Sequence, residues 1–363
     1  MSNHITRKGF LKMGTALAVS TLGFPAILLP KEKKKLGVAL VGLGNYSSTR
    51  LAPGLQQTEH CELRGIVTGT PSKIPVWQDR YGIPDQNVYN YGNMHDIANN
   101  DDIDIIYSVT PPGLHARDSI VGAEAGKHVW CEKPMALNEQ ECQAIVDAAQ
   151  KNRVQLTIGY RMQHEPNTQT IIRYGNEQTY GKLEEVRTGA GFRGSWPQDD
   201  WRLSSELGGG AILDMGVYPI NAARYATGRE PVAVSGKLGA DRSNMFHEVD
   251  EYAEFELEFP DGIIAHGRTS LAESMNYLDI DAANGWYRLR PFQSYTGVSG
   301  ETSDGTQLPA DPNHQQARQM DNDALAIKEQ NKPIVPGEDG LADIRIVDAI
   351  FESSRKGGAR IVL

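Results

Sequence analysis

Leu36-Gly37-Val38-Ala39-Leu40-Val41-Gly42-Leu43-Gly44-Asn45-Tyr46-Ser47 is the stretch whose reading decides the fold. Its first six residues form a short continuous apolar run, the pattern of a strand buried on both faces. The run passes straight into Gly42-Leu43-Gly44, and a helical stretch follows to Gln57. Strand, glycine loop and helix in that order make a dinucleotide fingerprint, with Ser47 as its small last residue. The first glycine permits the tight turn and the second lets backbone approach a pyrophosphate. A small third residue lets the helix pack on the strand. Gly42, Gly44, Asn45, Tyr46 and Ser47 are therefore candidate cofactor-binding residues.

Downstream, strand and helix signals alternate, with strands over 61–67, 103–109, 127–131 and 154–159 and helices over 114–125 and 138–151. That alternation predicts an α/β chain with a Rossmann-type doubly wound parallel sheet. Such sheets bind ligands outside the carboxyl ends of their strands. The second strand ends in Thr68-Gly69-Thr70-Pro71-Ser72-Lys73, where an NAD site usually carries an acid for the ribose 2′-hydroxyl. Hydroxyls and an ammonium suit a 2′-phosphate instead, so Thr68, Ser72 and Lys73 favour NADP over NAD. The plainer reading of Lys73 is the start of a solvated helix.

Two further strand ends are chemically loaded, Thr110-Pro111-Pro112-Gly113-Leu114-His115 and Glu132-Lys133-Pro134. Thr110, Pro111, His115, Glu132 and Lys133 are candidates to line the cofactor crevice, though His115 fits a helix cap equally well. Lys133, pinned between Glu132 and Pro134, is expected to be desolvated. Burial would lower its pKa and make it a usable proton donor or acceptor.

At 363 residues the chain is too long for one ordinary core and predicts two unequal domains. Hydrophobic residues at 39% and charged residues at 23% are globular composition and exclude a disordered chain. With 46 acids against 36 bases the net charge is −10, the wrong sign for a nucleic-acid partner. Cys61, Cys131 and Cys142 have no metal-ligand spacing, so neither a disulfide framework nor a metal is expected.

Residues 1–30 carry Arg7, Lys8 and Lys12 without an acid, then an apolar run over 13–29. That is the layout of an export signal, and Thr6 to Lys12 is similar to the twin-arginine consensus with Lys8 in the second arginine's place. A membrane anchor is the alternative, but the run falls short of ~20 apolar residues and Pro25 interrupts it. A periplasmic protein is expected, with no membrane contact in the mature form unless the signal is retained. The expected boundaries are an export signal over 1–30, an NADP-binding domain over 31–160 and a substrate and oligomerisation domain over 161–363.

The second half changes texture. Strands are expected over 183–192, 232–238, 249–259 and 263–270, the last two joined by the hairpin signal Pro260-Asp261-Gly262. Glu254, Glu256 and Glu258 alternate with Phe255, Leu257 and Phe259, one wet face and one dry. With further strands over 277–282 and 285–290, this predicts an α+β domain with a largely antiparallel open sheet. The wet face is either solvated or an oligomer surface. Helices over 314–331 and 339–355 are expected to pack back on the first domain. Asp214 and Tyr218 stand at i and i+4 in an apolar helix after Gly208-Gly209-Gly210, which puts them on one face.

Several motifs lie together in this chain: Val41-Gly42-Leu43-Gly44, Ala125-Gly126-Lys127-His128-Val129, Cys131-Glu132-Lys133-Pro134-Met135 and Ile158-Gly159-Tyr160-Arg161. Trp201-Arg202-Leu203, Gly208-Gly209-Gly210 and Asp214-Met215-Gly216-Val217-Tyr218 complete the set. On these residues, from about 36 to 357, the chain resembles the glucose–fructose oxidoreductase / inositol dehydrogenase (Gfo/Idh/MocA) family. Its motifs are most similar to the glucose–fructose oxidoreductase branch, which is exported and holds NADP tightly. The resemblance implies that Lys133, Asp214 and Tyr218 serve a sugar. Many relatives carry histidine at the position of Tyr218, so the tyrosine narrows the subgroup. The branch's long proline-rich arm before the first strand is reduced here to Lys31-Glu32-Lys33-Lys34-Lys35.

The expectation is an NADP-dependent oxidoreductase that moves hydride between a sugar or polyol and a nicotinamide. Tyr218 is the acid/base, with Lys133 activating it and bonding the same oxygen, and Asp214 orienting substrate or Lys133. Arg161, His164 and the loop from Arg193 to Arg202 offer contacts for sugar hydroxyls. Trp196 and Trp201 either stack on the sugar or close that loop. A periplasm without free NADP demands that oxidation of one sugar be balanced by reduction of another, a ping-pong cycle on a retained nucleotide. Two other readings stand: a redox-neutral NAD-dependent glycoside hydrolase, and a catalytically silent sugar-binding protein. A homo-oligomer, dimer or tetramer, is expected.

Overall fold

A computed structural model of the chain describes residues 35–363, and the export segment read over 1–30 lies outside the described residues. Six parallel strands make the first sheet: β1 (Leu36–Val41), β2 (Cys61–Val67), β3 (Val88–Tyr89), β4 (Ile105–Ser108), β5 (His128–Cys131) and β6 (Leu156–Ile158). They lie in the order β3-β2-β1-β4-β5-β6, so the order reverses between β1 and β4. β1 pairs with β2 from Leu36↔Cys61 to Val41↔Val67 and with β4 from Val38↔Ile105 to Val41↔Ser108. Val38, Ala39, Leu40 and Val41 are wholly buried. Each of the larger side chains contributes roughly 1.5–3 kcal/mol, which is why the run reads as apolar without alternation.

The connections carry α1 (Ala52–Leu55), α2 (Ile74–Tyr81), α3 (His115–Glu124) and α4 (Glu139–Asn152). The helix expected to run from the glycine loop to Gln57 is a π-helical turn over Ser47–Leu51 that passes directly into α1. The start of α4 is fixed by reciprocal capping: Asn138 accepts from the Glu141 amide at 2.9 Å and donates to its carboxylate at 3.1 Å. Its end is set by Arg153, in the left-handed region at φ 56°. After β6 comes α5 (Pro166–Glu177).

The second sheet is built from β7 (Leu183–Gly191), β8 (Ala233–Gly239), β9 (Tyr252–Glu258), β10 (Ile264–Ser270), β11 (Met275–Ala282), β12 (Gly285–Leu289), β13 (Gly300–Thr302), β14 (Gln307–Leu308) and β15 (Ile361–Val362). The order is β14-β13-β12-β11-β7-β10-β9-β8-β15, antiparallel throughout except for the β7–β10 pair. The hairpin at Pro260-Asp261-Gly262 is present, with Asp261 and Gly262 at φ 66° and 79°. Along β9, Ala253, Phe255 and Leu257 are buried while Glu254 and Glu256 face water. The Phe255 ring covers the bare backbone of Gly267, where a Cβ would stand only 2.0 Å from it. The polar face is laced with ion pairs, among them Arg187–Asp281 at 2.7 Å and Arg268–Glu254 at 3.0 Å.

The remaining helices are α6 (Val217–Thr227), between β7 and β8, and α7 (Gln315–Glu329) and α8 (Gly337–Arg355), which precede β15. Every residue of α6 is buried. It continues a π-helical turn over Ile212–Gly216, so Asp214 stands on the π-turn and Tyr218 in the first turn of α6. Asp250 caps this element, its carboxylate accepting from the Ile212 amide at 2.8 Å. Met320 and Ala324 of α7 share a core with Val38, Leu40, Cys61 and Leu63. The three cysteines are buried and unpaired.

Candidate active site

The crevice lies beyond the carboxyl ends of the paired strands β1 and β4, where the sheet order reverses. Gly42 turns the chain at φ 92°, and a Cβ there would meet Val109 O at 3.0 Å and Thr110 N at 3.1 Å, so only glycine lets the two loops approach. Gly44 is the opposite case. It is exposed and nothing stands within 4 Å of where its Cβ would be, which leaves the backbone open to a ligand. Asn45 is likewise exposed, whereas Ser47 is buried and donates to the Gly42 carbonyl at 2.6 Å. Ser47 thus closes the loop and faces away from the opening.

At the end of β2, Thr68 is buried and accepts from the Thr70 amide at 3.1 Å, while Thr70, Pro71 and Ser72 are exposed. Lys73 reaches back across the crevice and donates to the Leu43 carbonyl at 2.7 Å, which places its charge on the glycine loop itself. No carboxylate stands among residues 68–73. Arg117, which the sequence reading passed over, lies 5.0 Å above the ring of Tyr91, and that ring packs on Gly69. These residues fit a dinucleotide carrying a 2′-phosphate: open backbone at Gly44, hydroxyls at the β2 end, and cations to either side.

His115 is 1% exposed, with Nδ1 at 2.8 Å from Pro134 O and Nε2 at 2.8 Å from Thr110 O. Its ring sits between the Thr110–Pro111 loop and the Lys133–Pro134 loop from behind. Burial holds its pKa below the ordinary value against the two carbonyls, and the neutral ring donates to one of them. Thr110 itself donates to Asp118 at 2.8 Å. Glu132 is buried, accepts from the Tyr107 hydroxyl at 2.6 Å, and is raised in pKa by burial against the pull of Tyr107, Lys133 and Arg161. Gly159 makes room for it, since a Cβ there would stand 2.7 Å from Glu132 Oε1.

Lys133, Asp214 and Tyr218 converge. Lys133 Nζ donates to the backbone carbonyl of Asp214 at 2.6 Å, lies 3.7 Å from its carboxylate, and stands 4.5 Å from the centre of the Tyr218 ring. The expectation of a lowered Lys133 pKa is corrected here. Burial opposes its charge, but Tyr218, Asp214 and Glu132 together outweigh burial and hold the pKa above the ordinary lysine value. Lys133 is therefore a fixed cation with two hydrogens still free to donate.

Arg161 is 2% exposed and donates Nη1–H to the Tyr218 hydroxyl at 2.7 Å and Nη2–H to Gln293 Oε1 at 3.1 Å. It supports the tyrosine from inside. Arg202 donates to the Asp214 carboxylate at 3.1 Å and lies 4.5 Å from the Trp201 ring, so the 193–202 loop meets the site through this pair. Trp196 packs edge-on against Phe192 and Phe246 and closes the loop. His164 is not brought to the crevice. It is buried 4.0 Å from Asp323 of α7, and burial lowers its pKa to about 3. Gln293 and Tyr295, on the β12–β13 connection, were not legible as site residues. No local motif marks them, and only the fold carries them to Arg161.

A glycine-loop sheet with a lysine, a tyrosine and an aspartate converging at its carboxyl edge defines a dinucleotide-dependent oxidoreductase. The family model described as oxidoreductase family, NAD-binding Rossmann fold, matches residues 36–160, and the GFO/IDH/MocA C-terminal domain model matches residues 140–289. The chain belongs to the GFO/IDH/MocA oxidoreductase family. The crystal structure of an aldose-aldose oxidoreductase from Caulobacter crescentus superposes with a TM-score of 0.87 at 36% identity, over 91% of this chain and 100% of that one. A D-xylose 1-dehydrogenase [NADP(+)] of Haloarcula marismortui is 28% identical over 87% of this chain and 90% of its own length. A second such enzyme, from Haloferax volcanii, is 27% identical over 88% of this chain and 98% of its own.

Proposed function

We propose that the protein is an NADP-dependent oxidoreductase of sugars or polyols, with Tyr218 as the acid/base at the reacting oxygen. The observation that carries this reading is the Arg161–Tyr218 hydrogen bond beside Lys133. Arginine only donates, so the tyrosine oxygen accepts from Arg161 and its own hydrogen is left for the substrate. A bound nicotinamide supplies the hydride acceptor or donor. Tyr218 gives its proton to a carbonyl oxygen being reduced, and the phenolate that this leaves would take the proton of a hydroxyl being oxidised. The Lys133 ammonium, held by the Asp214 carbonyl, meets the charge that develops on the same oxygen. Asp214, itself held by Arg202, fixes Lys133 and borders the space a sugar would fill.

The names of the similar enzymes support both the sugar class and NADP, as does the absence of an acid over residues 68–73. The basic and apolar leader supports a periplasmic location, and with it a ping-pong cycle in which one retained nucleotide is reduced by one sugar and reoxidised by another. The broad polar face of the second sheet offers a surface for a homo-oligomer, dimer or tetramer. Denaturing the purified protein and identifying the released nucleotide by mass spectrometry tests the cofactor reading. NADP is expected, and NAD would overturn the role given to Thr68, Ser72 and Lys73.

A further inference from the structure

Arg50, Tyr295, Arg161, Tyr218 and Lys133 alternate cation and ring in one connected column. Arg50 lies 4.4 Å from the centre of the Tyr295 ring and Arg161 lies 4.6 Å from it. Arg161 and Lys133 lie 5.4 Å and 4.5 Å from the Tyr218 ring. The Tyr295 ring also stands 5.9 Å from that of Tyr46, two residues beyond Gly44. One side chain from the β12–β13 connection therefore touches the glycine-loop side of the crevice and the acid/base side together.

The connection is built like a strap. Its base is closed by Arg290 N–H to Ser299 O at 2.8 Å. Asn276 of β11 accepts from the amides of Phe292 and Gln293 at 3.0 Å each, and Asn167 of α5 donates to Val298 O at 2.9 Å. Phe292 and Val298 are each 1% exposed, whereas Tyr295 at the tip is 39% exposed, and Gly297 turns the chain back at φ 83°. A pinned base with an exposed ring at its tip is an unusual place for an aromatic that serves only the core. The two guanidiniums stacked on it point to another task, holding Arg50 beside the anion-binding loop and Arg161 on Tyr218.

We propose that Tyr295 is a cofactor-retaining residue, the buckle of a strap over Pro291–Val298 that holds a bound dinucleotide in the crevice and fixes Arg50 and Arg161 on either side of it. This rests on the dinucleotide reading of the site given above. Without the ring neither guanidinium is held in place beside the crevice, and the expected effect is about tenfold faster release of the nucleotide.

The test follows NADPH release from the purified full-length protein by fluorescence, with NADH as a parallel probe, for the wild type and Tyr295→Ala, Tyr295→Leu and Tyr295→Phe. Release about tenfold faster for both ring-less variants, with Tyr295→Phe within about twofold of the wild type, is the expected result. Thermal melting identifies any variant that fails to fold, and two ring-less side chains of different bulk keep the comparison intact. If the wild type binds and the ring-less variants release NADPH no faster, the strap falls and the functional reading stands. If the wild type binds neither nucleotide, the functional reading falls and takes the strap with it.

Discussion

The Arg161 guanidinium donates to the Tyr218 hydroxyl at 2.7 Å, from a position almost wholly cut off from water. That bond occupies an acceptor lone pair of the phenol and leaves its hydrogen to be donated elsewhere than to Arg161. Tyr218→Phe keeps the ring that packs between Lys133 and Arg161 and removes the transferable proton. Turnover should fall by about a hundredfold to ten-thousandfold, with nucleotide binding nearly unchanged. Steady-state kinetics beside a nucleotide titration checks it. Wild-type turnover would remove Tyr218 from the chemistry.

Arg161→Lys asks whether the fork matters or only the charge. A lysine cannot bond Tyr218 and Gln293 in the fixed geometry of a guanidinium. The expected result is a fall in kcat of about tenfold, with KM changed by less than about threefold. A change confined to KM would make Arg161 a substrate contact and not a support for Tyr218.

Lys133 carries its charge through the neutral range, because its neighbours hold the pKa above the ordinary lysine value. Lys133→Met should cost about a hundredfold or more in kcat, and Lys133→Arg should recover part of the loss. The sign of the shift makes a second prediction. The kcat profile should show no limb from lysine deprotonation until pH passes the ordinary lysine range. A Lys133-dependent limb near neutrality would restore the lowered pKa expected from burial alone.

His164 and Asp323, 4.0 Å apart and both buried, form a neutral pair. Burial raises Asp323 to about 8, so its contribution to stability is complete below the ordinary value of 3.8 and is lost as pH rises through about 8. Burial lowers His164 to about 3, so its contribution is complete above 6.5 and is lost as pH falls through about 3. The two trends oppose each other between 3.8 and 6.5, and above 6.5 only the loss from Asp323 remains. Asp323→Asn should make the fall in melting temperature between pH 6.5 and 8 less steep. An unchanged slope would show that Asp323 is ionised in the folded protein across that range.

The parallel sheet was legible because its strands are buried on both faces and have no other solution than continuous apolar runs. Residues 61–67 were read to the residue, and Asn138 was found as the start of α4. The alternation along β9 was legible for the opposite reason, since only one of its faces is dry. What stayed hidden depends on tertiary placement. α5 opens on a proline and buries Asn167, Thr168 and Gly175 beside Ile171, and β3, β13, β14 and β15 are two or three residues long. Lys133, Asp214 and Tyr218 were singled out from motif, helical spacing and the family resemblance, and the structure brings the three side chains together. The side chains that support them, Gln293 and Tyr295 on Arg161 and Asp250 beneath the π-turn, have no signal within their own neighbourhoods. His164 misled for the converse reason, since a histidine three residues past Arg161 reads as a site residue until α7 covers it.

Redox stoichiometry tests the central claim most directly. The purified protein is incubated with NADP and a panel of aldoses, polyols and glycosides, following reduced nicotinamide by its near-ultraviolet absorbance and the carbohydrate products by mass spectrometry. The account predicts one reduced nicotinamide for each sugar oxidised, and reoxidation when a second sugar is added, both lost in Tyr218→Phe. Cleavage of a glycoside with no net change in nicotinamide would contradict it and establish the redox-neutral hydrolase instead.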